Sequence, residues 1–115
     1  MQYFQDVLTL TATATGDRFD AYDLVSFNDE KVTTDDAPVK GIAKHSADFA
    51  RDELDIGVIV IGTARVKASG PILKGDRLIS AQGGGVKTAP ANAVNVFARA
   101  LTEAAAGEFV TILIR

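Results

Sequence analysis

At 115 residues and 12.1 kDa the chain has room for one domain with a core, but not for two. A net charge of −3 and a pI near 5.0 speak against a nucleic-acid binder, which normally shows a basic face. The absence of cysteine excludes disulfides, thiolate catalysis and Cys-ligated zinc, and no apolar run approaches the ~20 residues of a membrane-spanning helix. Residues 1–6 lack the basic start and apolar core of a signal peptide. Tyr3 and Phe4 within them belong to no element, so this segment is either folded back onto the body or an arm for a partner. Residues 7–115 are expected to form a single β-rich domain.

Residues 7–15 give the clearest strand. Leu8, Leu10, Ala12 and Ala14 point one way, and Thr9, Thr11, Thr13 and Thr15 the other. The threonine face is polar and methyl-bearing at once, suited to a solvated sheet face or a wet contact. Gly16-Asp17-Arg18 reads as a turn, residues 24–27 as a short strand, and Asn28-Asp29-Glu30-Lys31 as a polar hairpin loop into Val32-Thr33-Thr34. Residues 39–44 are expected to be extended, and residues 46–55 to hold one helical turn or an ordered loop. Ile56-Gly57-Val58-Ile59-Val60-Ile61 is the most apolar run and reads as a central strand buried on both faces.

Beyond it, Ala64, Val66 and Ala68 alternate with Thr63, Arg65 and Lys67, a strand with one buried face. Ser69-Gly70-Pro71 breaks that strand, and Lys74-Gly75-Asp76 turns the chain into another at residues 77–80. Gly83-Gly84-Gly85 leads into Val86-Lys87-Thr88. Ala93, Val96, Phe97, Ala100, Leu101 and Ala104 fall at helical spacing, which leaves residues 92–106 open between helix and strand. Residues 109–114 read as a closing strand.

The two halves of the chain repeat one another. Gly16-Asp17-Arg18 lines up with Gly75-Asp76-Arg77, Leu24-Val25-Ser26 with Leu78-Ile79-Ser80, and Val32-Thr33-Thr34 with Val86-Lys87-Thr88. Gly41-Ile42-Ala43 lines up with Ala98-Arg99-Ala100, and Val58-Ile59-Val60-Ile61 with Val110-Thr111-Ile112-Leu113. On this ground residues 96–101 are expected to be a strand, like 39–44, with 102–106 as a turn or short helix. The fold class that results is all-β: a compact barrel-like or sandwich domain with at most one or two short helical turns.

No set of side chains reads as an active site. His45 beside Ser46 cannot converge with it in an extended chain and reads as a surface or loop histidine. Gly83-Gly84-Gly85-Val86-Lys87-Thr88 lacks the glycine that a phosphate loop needs before Lys-Thr, and reads as a hairpin turn. Asp17, Asp20 and Asp23 lack the alternating spacing of a calcium loop, and Asp35-Asp36 and Asp52-Glu53-Asp55 have no nucleophile beside them. No catalytic residue, metal or cofactor is expected.

Gly41-Ile42-Ala43, Asp52-Glu53, Gly62-Thr63-Ala64-Arg65-Val66, Ile72-Leu73-Lys74-Gly75-Asp76-Arg77-Leu78 and Ala98-Arg99-Ala100-Leu101 follow in order, with Ala104-Ala105-Ala106-Gly107-Glu108-Phe109-Val110 after them. This set resembles the small capsid decoration, or cement, proteins of tailed bacteriophages, from about Val7 to the end. Members of that group typically have Gly-Arg-Ala-Leu where this chain has Ala98-Arg99-Ala100-Leu101. The resemblance implies a β-rich, barrel-like domain that forms trimers, binds the major capsid protein and sits on the outer surface of the virion. It implies no catalytic motif, no nucleic acid and no membrane. Within that role, Tyr3, Phe4, Thr9, Thr11 and Thr13 are the expected partner-binding residues. The turn at residues 72–78 also resembles that of small β-clip domains, which implies instead a ligand-binding module or enzyme appendage.

Overall fold

The computed structural model describes residues 5–13, 18–48 and 55–114, and among these every regular element is a strand. The strands are β1 (Gln5–Thr13), β2 (Arg18–Phe19), β3 (Leu24–Val25), β4 (Gly41–Ala43) and β5 (Ala47–Asp48), followed by β6 (Asp55–Lys67), β7 (Arg77–Ser80), β8 (Val86–Thr88), β9 (Ala98–Ala100) and β10 (Phe109–Ile114). An antiparallel sheet runs β3-β4-β6-β10-β9-β7-β8, with β1 on the other edge of β6. It curls into a half-barrel, and a parallel bridge between Val86 and Ala68 brings its far end back to the end of β6.

The long strand β6 organises the molecule. Residues 56–61 and 63–68, expected as separate runs, are joined through buried Gly62, which has a φ of 136°. Ala64, Val66 and Ala68 are buried while Lys67 is exposed, the period of two their spacing requires. Val58 and Ile59 are buried on opposite faces, but Ile61 is exposed, so burial on both faces covers only part of the run. Residues 102–106, expected as a turn or short helix, take the turn form around the Ala104 bridge, and residues 49–54 of the expected loop or helical turn lie outside the described residues. Ala98 and Ala100 are buried around exposed Arg99, and pairing with β7 and β10 on either side overrides the helical preference of an alanine-rich segment.

The repeat is real in the structure, in the register the letters propose at residues 41–43 and 98–100 and in a shifted one elsewhere. Phe19 pairs with Ala47 as Ile72 pairs with Ala104. Leu24 and Val25 pair with Ile42 and Gly41 as Arg77 and Leu78 pair with Arg99 and Ala98. Ile42 and Ala43 meet Ile59 and Val58 as Arg99 and Ala100 meet Leu113 and Ile112. Backbone bonds repeat as well. Tyr22 N–H donates to Ala43 O as Gly75 N–H donates to Ala100 O, both at 2.8 Å, and Ala43 N–H to Asp23 O as Ala100 N–H to Asp76 O, both at 2.9 Å. The second half begins inside β6: Thr9 and Leu10 stand to Ile59 and Val58 as Thr63 and Ala64 stand to Leu113 and Ile112. One strand therefore ends the first repeat and opens the second.

Each repeat has its own core. Phe19, Val25, Ala43 and Val58, with Val60 against them, form the first. Their counterparts Ile72, Leu78, Ala100, Ile112 and Ile114 belong to the larger cluster of the second. Leu24, Ile42 and Ile59, on the opposite face of the first repeat's sheet and at most 2% exposed, join that larger cluster. Each such side chain contributes about 1.5–3 kcal/mol by leaving water. Residues 33–37 stitch the repeats together. Ser80 Oγ donates to Thr34 O at 2.7 Å and accepts from Ala37 N–H at 2.8 Å, while the Asp36 carboxylate accepts from the N–H groups of Val94 and Asn95.

Candidate interaction surface

β1 pairs with β6 alone among the described residues, so its second edge is the margin of the sheet. Two irregularities in the pairing, between Asp6 and Leu8 and between Leu8 and Thr9, re-aim the strand at its start. Leu8 and Leu10 are 43% and 44% exposed. Leu10 lies opposite Val58 at the margin of the sheet and stays half-exposed, whereas its counterpart Ala64 is buried in the second repeat. Leu8 lies opposite Ile61, itself exposed, so three apolar side chains gather on the surface of β1 and β6. Thr9 and Thr11 are exposed as expected, and Thr13 ends the same strand. Tyr3 and Phe4 lie outside the described residues.

A shallow cleft of about 540 Å³ lies where the repeats meet, lined by Asp20, Tyr22, Asp23, Lys67, the glycine turn 83–85 and Phe109. The rings of Tyr22 and Phe109 meet edge-on there, 5.9 Å between centroids. Gly83, Gly84 and Gly85 all have positive φ and form the β7–β8 hairpin turn. Lys87 is held by Asp35 at 2.9 Å, and the Thr88 hydroxyl donates to Asp76 at 2.9 Å, so both side chains of the phosphate-loop look-alike are engaged in the fold. Lys87, followed by the Gln82 N–H, holds the Asp35 carboxyl below its ordinary value.

Asp23 accepts from Asp20 N–H at 2.8 Å and pairs with Lys31 at 3.1 Å, which makes it a turn residue. Its counterpart Asp76 does the same for Leu73 N–H at 2.9 Å. His45 is exposed but not idle: its Nε2 accepts from Gly57 N–H at 3.0 Å. The Thr102 hydroxyl accepts from Thr111 N–H at 3.1 Å in the same place of the second repeat. Among the described residues no three His, Asp or Glu side chains are gathered as a metal site.

No protein-family model matches the chain, and no curated protein does. Among solved structures, the chain is similar to the head fiber gp8.5 N base of bacteriophage phi29. The TM-score is 0.71 at 20% identity, over 94% of this chain and 93% of that one. The likeness is one of fold.

Proposed function

We propose that this chain is a structural protein of a bacteriophage head. In finer terms it is a decoration protein that binds the major capsid protein from outside, acts as a homotrimer and stabilises the shell. The observation that carries this reading is the likeness of fold, over nearly the whole chain, to a protein of a phage head fiber. The margin of the sheet supports it. An open strand edge beside Leu8, Leu10 and Ile61 can add to a sheet of another chain, and three modest contacts combine through effective concentration. The function includes no catalytic step, cofactor or metal.

The test is co-sedimentation of the purified protein with undecorated shells of its own phage. Binding is expected, and a variant lacking residues 1–4, which spares β1, should stay folded while attaching more weakly. A protein that never binds shells would sink the reading, and undiminished binding by the truncated chain would sink only the arm.

A second reading, a small ligand-binding module, draws on the cleft and its Tyr22–Phe109 pair. It requires a neutral oligosaccharide to change tyrosine fluorescence, and Phe109→Ala to abolish that change.

A further inference from the structure

The cross-strand row Leu24–Ile42–Ile59 in the first repeat is covered by the second. Its counterpart in the second repeat is Arg77–Arg99–Leu113, and there both arginines face solvent. Arg77 and Arg99 are direct partners across β7 and β9, an arrangement that costs free energy unless an anion lies between or above them. Arg65, whose guanidinium lies 5.0 Å over the Phe109 ring, and exposed Lys67 extend the same face on β6. Among the described residues none of these four cations has a carboxylate partner, and Arg99 reaches only Gly75 O at 3.4 Å.

The charge of the chain is divided between the repeats. Residues 1–61 carry 12 acidic and five basic side chains, a formal −7, and residues 62–115 carry three acidic and seven basic, a formal +4. The two signs already meet across the repeat boundary within one molecule, where Lys87 holds Asp35.

We propose that the open arginine face of the second repeat docks on the acidic first repeat of a second copy of this chain, head to tail. The row that the first repeat buries inside the molecule is, in the second, buried between molecules. Phe109 and Leu113 supply apolar area, and the arginines supply orientation and rate of encounter. Such an interface is heterologous, so it offers one free face of each kind at every step until a ring closes. It rests on the self-association named above and not on the shell.

The experiment is the solution mass by sedimentation equilibrium, at rising protein concentration and at low and high salt. The wild-type chain should associate at low ionic strength and dissociate as sodium chloride rises to about 1 M, where the Debye length falls to about 3 Å. Arg77→Glu with Arg99→Glu should weaken association about tenfold or more at an unchanged melting temperature. That variant still presents its acidic repeat, so added to wild type it should cap the chains and lower the mean mass. Arg77→Gln with Arg99→Gln gives the same readout if the reversal does not fold. A wild-type monomer under all conditions, or association unmoved by both changes and by salt, overturns the proposal. A salt-insensitive trimer that still binds shells overturns this interface alone and leaves the shell reading standing.

Discussion

Gly41 and Ala98 hold the same place in the two repeats, and only the second has room for a methyl group. A Cβ at Gly41 would stand far inside contact of Ile59 O and 2.8 Å from Val58 Cγ1, because β4 packs its backbone against β6 there. Gly41→Ala should therefore cost about 1–3 kcal/mol, read as a shift in the urea midpoint at constant slope. Asp35 gives a pH dependence. Its carboxyl is held below the ordinary 3.8 by Lys87 first and the Gln82 N–H second. A group depressed in the folded state stabilises above its unfolded value, and that contribution is lost as pH falls through the folded one. Denaturation midpoints from about pH 6 to about pH 2 should fall below pH ~4, less steeply in Asp35→Asn. Single residues were the least legible scale in the sequence. Gly16-Asp17-Arg18 and Gly75-Asp76-Arg77 share letters, yet the counterpart of Gly75 is Tyr22. Both have positive φ, 90° and 76°, and a tyrosine there gives no signal in a sequence.

At the scale of elements the apolar runs were a reliable guide, because alternation follows directly from the pleat. Residues 77–80, 86–88 and 109–114 are strands with the bounds their patterns require. The pairing of Gly41-Ile42-Ala43 with Ala98-Arg99-Ala100 is also the true one, and it decided strand over helix for β9. Strand β1 shows the limit. Its alternation is perfect, but alternation says which side chains share a face and not whether anything covers that face. The same limit hid the outer row of the second repeat, where Arg77 and Arg99 replace Leu24 and Ile42. Ile59 tests the placement of β6. Ile59→Asp would bury an unpaired charge between the two cores, a cost of several kcal/mol against a total of about 5–15. Loss of cooperative melting is expected in circular dichroism, and a soluble variant that melts like the wild type would contradict the burial of this face.

For the molecule as a whole, two repeats built round one shared strand leave three features without a use among the described residues of the monomer. These are the margin of β1 with Leu8, Leu10 and Ile61 exposed, the arginine face of the second repeat, and the opposed charge of the halves. Composition alone concealed the last, since a net −3 averages a strongly acidic half with a basic one. All three are features that the partners of the proposed assembly would cover, and the fold is similar to that of a phage head fiber protein. The central claim is that this chain coats the outside of a capsid. An electron cryomicroscopy difference map tests it most directly, comparing undecorated shells of its phage with shells incubated with the protein. The account predicts added density on the outer surface, one body for each bound copy and clustered in threes where capsomers meet. Shells that show no added density at saturating protein would contradict it.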